Sequence, residues 1–157
     1  MNWSDLNLMP AMPEIVLFAL LGVVLLADLW ICDKNRYLTH LMSLGTVIIV
    51  AVTQLAVWEQ GSVDAFHGMY IADGMSRLAK LVLYALTFGL FIYSKPYNQD
   101  RQIFKGEFYT LSLFALLGMS VMGSAAHFLT AYIGLELLSL SLYAMIALRR
   151  DSGRSAE

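Results

Sequence analysis

The chain has 157 residues, 59% of them apolar and only 14% charged, and a mean hydropathy of +0.65. A water-soluble domain carries about 25% charged residues, so this chain has too few charges to coat a water-facing surface, and lipid is the solvent it fits. The net charge of −2 leaves no basic face and sets a nucleic-acid partner aside.

The first residues, Met1, Asn2, Trp3, Ser4 and Asp5, contain no Lys or Arg, and none occurs before Lys34. A secretory signal peptide needs a basic leading region and a small-residue cleavage site, so the first apolar run is expected to remain as a membrane anchor. That run, about 12–31, is the first of five, followed by 38–58, 75–94, 108–126 and 128–148. Each approaches the roughly 20 residues a helix needs to cross about 30 Å of hydrocarbon. Inside lipid the backbone must close its hydrogen bonds within each segment, and none of the runs alternates with period two, so helices rather than barrel strands are predicted. The fold class expected is therefore an all-α membrane protein of five transmembrane helices in a single membrane domain, 1–157.

In the first run, Asp28 lies near the end and within reach of headgroups, an interfacial position. Cys32 follows it, the single cysteine of the chain, with no partner for a disulfide and no His or Cys cluster for a metal or an iron–sulfur centre. It reads as a packing residue. The second run holds His40 and Gln54, read as packing or interfacial groups. The third is preceded by Asp73 and opens with Arg77 and Lys80, where long basic side chains can snorkel to the interface. Asp73 stands four residues before Arg77, a spacing that allows pairing. A capped helix end is one reading of this region, and a role for Lys80 in an internal charge relay is the other. Glu107 opens the fourth run, where an acid suits the positive end of the helix dipole. Ser120, Gly123 and Ser124 look like helix-packing residues. His127 occupies the tight turn before the fifth run, facing solvent or adjoining a proton path.

The fifth run carries the one acid that composition does not excuse. Eight residues of the run precede Glu136 and twelve follow it, placing it about 12 Å from one end and about 18 Å from the other at 1.5 Å per residue. A carboxyl at that depth costs at least about 2.5 kcal/mol on insertion scales and usually faces a protein interior or a wet cavity. Missing water favours its neutral form, which suits a group that loads and releases protons. Tyr132, Ser139 and Tyr143 stand at i−4, i+3 and i+7, making a hydroxyl-lined stripe with Glu136 that is expected to face inward. The competing reading is that Glu136 only glues two helices together through hydrogen bonds. No G-x-G-x-x-G after a strand and no G-x-x-x-x-G-K-[ST] is present, so flavin, NAD and ATP have no visible seat.

Orientation follows from the basic residues, which stay cytoplasmic in short loops. Lys34 and Arg36, then Lys95, Arg101 and Lys105, then Arg149, Arg150 and Arg154 make eight of the ten, leaving only Arg77 and Lys80 elsewhere. The N-terminus is thus expected outside and the C-terminus inside.

Three stretches resemble a known family. Gly106-Glu107-Phe108-Tyr109, then Leu113-Phe114-Ala115-Leu116-Leu117-Gly118-Met119, then Tyr132-Ile133-Gly134-Leu135-Glu136-Leu137-Leu138-Ser139-Leu140-Ser141-Leu142-Tyr143 are similar to subunit N of bacterial NADH-quinone oxidoreductase, an antiporter-like membrane subunit of complex I. The upstream segment Met69 to Arg77 is similar as well, and the first two helices match in hydropathy. The resemblance implies that Glu136 is a mid-membrane proton-translocating glutamate paired with a lysine on a later helix. Lys80, Tyr132, Ser139, Tyr143 and His127 are candidate relay groups. It also implies a bacterial inner membrane and a chain that forms the front part of a longer subunit of about fourteen helices. Its partners would be the other membrane subunits of the complex, and the quinone pool would be reached through them. NADH, FMN, iron–sulfur clusters and quinone belong to the parent complex and not to this chain. A subunit of a cation/proton antiporter and a non-enzymatic membrane scaffold remain as alternatives.

Overall fold

A computed structural model describes residues 8–30, 36–58, 63–100 and 106–148, with backbone only for Arg36, Val63 and residues 96–100. Among the described residues five helices are long and apolar enough to span a membrane: α1 Met12–Trp30, α2 Arg36–Ala56, α3 Gly74–Asp100, α4 Gly106–Gly123 and α5 Phe128–Ala147. The all-α membrane class read from composition is borne out. Cys32, Lys34, Arg101, Lys105, Arg149, Arg150 and Arg154, on which the packing and orientation expectations rested, lie outside the described residues.

Helix ends differ from the apolar runs for definable reasons. Hydropathy marks where lipid stops, not where a helix stops, so α3 runs on past residue 94, through Pro96, to Asp100. At the opposite end α2 and α4 stop short, at Ala56 and Gly123. Between α2 and α3 the chain forms a short antiparallel hairpin, β1 Val63–Ala65 and β2 Tyr70–Ala72, with Ala65 opposite Tyr70 and Val63 opposite Ala72. Its turn passes through Phe66, His67 and Gly68 at φ of 52°, 57° and 81°, the left-handed region that only glycine enters freely.

The residues after α4 join this hairpin. The Ile71 amide donates to the Ser124 carbonyl (2.9 Å) and the Ala126 amide to the Met69 carbonyl (3.1 Å). Tyr70 thereby forms a bridge with Ala125. Backbone groups of the residues just past α4 are thus satisfied by the hairpin rather than by a further helical turn.

Helix α4 packs against the other four helices and is the most buried span, whereas α5 packs chiefly against α4 and is the least buried. The apolar core combines Leu17, Leu21 and Val24 of α1 with Val47 and Val50 of α2, Tyr84 and Phe91 of α3, and Tyr109, Leu113 and Leu116 of α4. Between α4 and α5 the backbones nearly touch. A Cβ on Gly118 would lie 2.7 Å from the Gly134 carbonyl oxygen, and one on Gly134 would lie 2.8 Å from that of Gly118. Of the small residues read as helix packing, Gly123 has open space around it; the glycines that set the α4–α5 approach are Gly118 and Gly134.

Candidate functional site

At the hairpin end of the bundle, α1 and α3 bring an acid and a base together below the hairpin. Glu14 is in the first turn of α1, and Lys80 is six residues into α3, about 9 Å along its axis. Both are buried, at 7% and 1% exposure, with Lys80 Nζ 2.5 Å from Glu14 Oε1. Tyr70 of β2 closes the triangle: Lys80 Nζ donates to its hydroxyl oxygen (2.7 Å), and the hydroxyl in turn points to Glu14 Oε2 (2.9 Å). The Lys80 ammonium also sits over the Tyr70 ring, 4.8 Å from its centroid. Burial pushes the Tyr70 phenol far above its ordinary range and the Glu14 charge adds to the effect, so the hydroxyl keeps its proton and remains a donor.

Lys80 was expected to snorkel or to serve an internal relay, and burial excludes the snorkel. Lys80 turns inward because Glu14 supplies an opposite charge where water is missing, which is how buried charges are tolerated. Arg77 is likewise buried, donating from Nη1 to the Trp58 carbonyl (2.8 Å) and from Nη2 to that of Ala72 (3.2 Å). Asp73 instead caps α3. Its carboxylate accepts from the Ser76 amide (2.7 Å), and its own amide donates to the Ser76 hydroxyl (3.1 Å), a reciprocal capping box. These bonds hold the Asp73 carboxyl below its usual range.

Sequence reading missed Glu14. The signal was available: once α1 and α3 are placed parallel, each antiparallel to α2 between them in the chain, their first turns share one end of the bundle, so an acid at 14 and a base at 80 lie at similar depth. An acid so near a helix start passes for a cap.

Glu136 lies in the middle of α5, as its place in the run required, but the bundle does not surround it. The stripe expected to face inward points away from α4: Tyr132 is 50% and Tyr143 68% exposed, and Glu136 is exposed. Ser139 turns its hydroxyl to the Leu135 carbonyl (2.9 Å). The reason is geometric. Gly134, Leu137, Leu138 and Ser141 form the i, i+3, i+4, i+7 face, and only that face carries the glycine that admits the α4 backbone. His127 is exposed and caps α5, its Nδ1 accepting from the Leu129 amide (3.2 Å). Glu136, Tyr132, Ser139 and Tyr143 thus share one open face, while Lys80 belongs to the buried cluster on α1, α3 and β2.

The opposite end of the bundle has polar groups of its own. The Thr39 hydroxyl donates to Asp28 Oδ1 (2.8 Å), and the Asp28 carboxylate lies directly across the backbone of Gly106, where any Cβ would collide with it. Asp28 is therefore clasped between α2 and the positive end of α4 rather than being only interfacial. His40 stacks edge-on against Tyr109 at 5.2 Å. His40 Nδ1 is buried here without a hydrogen-bond partner, as is Gln54 Oε1 at the other end of α2, near the hairpin. Among the described residues no three His, Cys, Asp or Glu side chains lie close enough to hold a metal ion.

Five apolar spanning helices, a buried acid–base pair and a mid-span carboxyl define a multi-pass membrane protein. Comparison with known proteins gives its relatives. The chain is 74% identical over all 157 residues to NADH-quinone oxidoreductase subunit N of Neisseria gonorrhoeae, covering 33% of that protein. It is 50% identical over its full length to the subunit N of Laribacter hongkongensis, covering 32%, and 44% identical to that of Thioalkalivibrio sulfidiphilus, covering 33%. No family model matches. The chain is a homologue of NADH-quinone oxidoreductase subunit N, matching its N-terminal part and spanning about a third of the length of these relatives.

Proposed function

We propose that this chain is the front part of an energy-converting membrane subunit of NADH-quinone oxidoreductase in a bacterial inner membrane, taking part in proton translocation. In this reading electrons pass from NADH through FMN and iron–sulfur clusters to quinone in other subunits, and this chain binds none of these groups. Its partners are the neighbouring membrane subunits of the complex. The N-terminus and the hairpin face outside, in accord with the basic residues of the other loops.

The observation that carries the reading is the mid-span carboxyl of Glu136 on the open face of α5. A charge-bearing group turned to bare lipid is costly. That cost is removed if later helices of the threefold longer parent subunit cover this face and bring a basic partner to Glu136. A carboxyl between a lysine and a hydroxyl stripe can take a proton, lose its attraction for the lysine, and return the proton when the charge beside it changes. Tyr132, Ser139 and Tyr143 would line that path, with His127 at its hairpin end.

The test is Glu136→Gln in the full-length subunit within the assembled complex, with proton uptake into membrane vesicles and NADH:quinone reduction measured separately. Loss of proton movement per NADH oxidised is expected. Unchanged coupling would remove Glu136 from the mechanism.

A further inference from the structure

Glu14, Lys80 and Tyr70 enclose ionisable groups where the translocation reading, centred on α5, does not need them. A groove of about 460 Å³ reaches Glu14 and Tyr70, with Lys80 behind them, and is otherwise lined by residues such as Ala11, Phe18 and Phe66, Val121 of α4 and Thr130 of α5. One carboxylate oxygen, Oε1, faces Lys80 while the other, Oε2, faces Tyr70. The Tyr70 hydroxyl has one proton and two acceptors, Glu14 Oε2 at 2.9 Å and the Pro10 carbonyl at 3.1 Å. It can therefore bond to the carboxylate in one state and turn to the backbone in another. The other groups around the pair are Arg77 and Tyr84 on α3, Asp73 at its cap, and the Ser120 hydroxyl of α4, 3.5 Å from the Tyr84 hydroxyl.

A salt bridge that only stapled helices could be replaced by apolar packing without loss, and ionisable groups within a span usually mark an ion pathway. We propose that Glu14, Lys80 and Tyr70 form a second proton-exchange site, at the hairpin end of the bundle, where a proton passes between the pair and water in the groove. The Lys80 ammonium hands a proton to the Glu14 carboxylate, leaving a neutral amine and a neutral acid. The acid then releases that proton to a groove water, giving hydronium, while Tyr70 donates to the carboxylate so formed. A proton arriving along the side where Tyr84 and Ser120 lie returns to the amine and restores the pair. The cluster changes by one charge per cycle, and no bond to carbon forms or breaks. Because Tyr70 belongs to the strand bonded to residues 124–126, the state of the pair is also communicated to the turn that leads into α5.

This inference rests on the translocation reading, and one experiment separates them. In the assembled complex in membrane vesicles, Tyr70→Phe, Lys80→Met, Glu14→Gln and the double variant Glu14→Gln/Lys80→Met are compared with Glu136→Gln. Assembly, NADH:quinone reduction and protons moved per NADH are each measured. Tyr70→Phe removes one hydroxyl and no charge, so it is expected to assemble and to move fewer protons per NADH. The double variant leaves no unpaired buried charge, so it is expected to assemble better than either single variant and still show the loss. Wild-type coupling in both Tyr70→Phe and the double variant overturns the inference and reduces the cluster to a staple. If the double variant fails to assemble, Tyr70→Phe decides alone. Normal coupling in Glu136→Gln with a loss in Tyr70→Phe would instead retain this site and reject the role given to Glu136.

Discussion

Asp73 shows what a single side chain contributes at a helix start. Its carboxylate takes the Ser76 amide while its own amide meets the Ser76 hydroxyl, and this depresses its pKa. A group whose folded pKa lies below its unfolded value stabilises the fold above the ordinary carboxylate range and ceases to do so as pH falls through the folded value. Asp73→Ala should loosen the first turn of α3 at neutral pH, read as faster amide exchange at Ser76 and Arg77, and its difference from the parent protein should shrink in acid. Asp73→Asn keeps an acceptor and should retain much of the protection while losing the pH dependence. At the same scale, Lys80→Met leaves the Glu14 carboxylate buried and unpaired, a change worth about 3–5 kcal/mol. The melting temperature of the purified subunit in detergent should fall sharply, and adding Glu14→Gln should recover most of the loss.

Among the elements, the pairing of α4 with α5 depends on two glycines rather than on apolar side chains. Any Cβ at Gly118 or Gly134 meets backbone atoms of the other helix closer than 3.0 Å, so the helices must separate. Gly134→Leu should destabilise by about 1–3 kcal/mol, the usual range for overpacking, whereas Gly123→Ala, with nothing near it, should be neutral or slightly stabilising. Thermal unfolding of both variants in one detergent checks the contrast. The number of helices and the tight turn at His127 were legible from hydropathy, because lipid leaves the backbone one solution per apolar run. The hairpin was not legible. Its strands are three residues each, and its partners at 124–126 come from a distant part of the chain, so no local period announces it.

For the molecule as a whole, sequence located the mid-span carboxyl but not the direction it faces. Depth follows from counting along a run, while rotation of α5 is set by contacts between Gly134 and Gly118 that only packing reveals. The same limit hid Glu14, whose meaning depends on a helix 66 residues further along the chain. The described bundle is built outward from α4, with the core on its α1, α2 and α3 sides and one wide face of α5 left bare. That face carries Ile133, Leu140 and Ile146 together with Glu136. If further helices of the parent subunit cover it, single cysteines at Leu140 and Ile146 in an otherwise cysteine-free full-length subunit should resist a lipid-soluble thiol reagent. If the hairpin faces outside as proposed, His67→Cys, in the exposed hairpin turn, should react with an impermeant reagent applied to that side of the membrane. Ready labelling at 140 and 146 would mean that α5 borders lipid in the whole subunit, and Glu136 would then have no basic partner on that side.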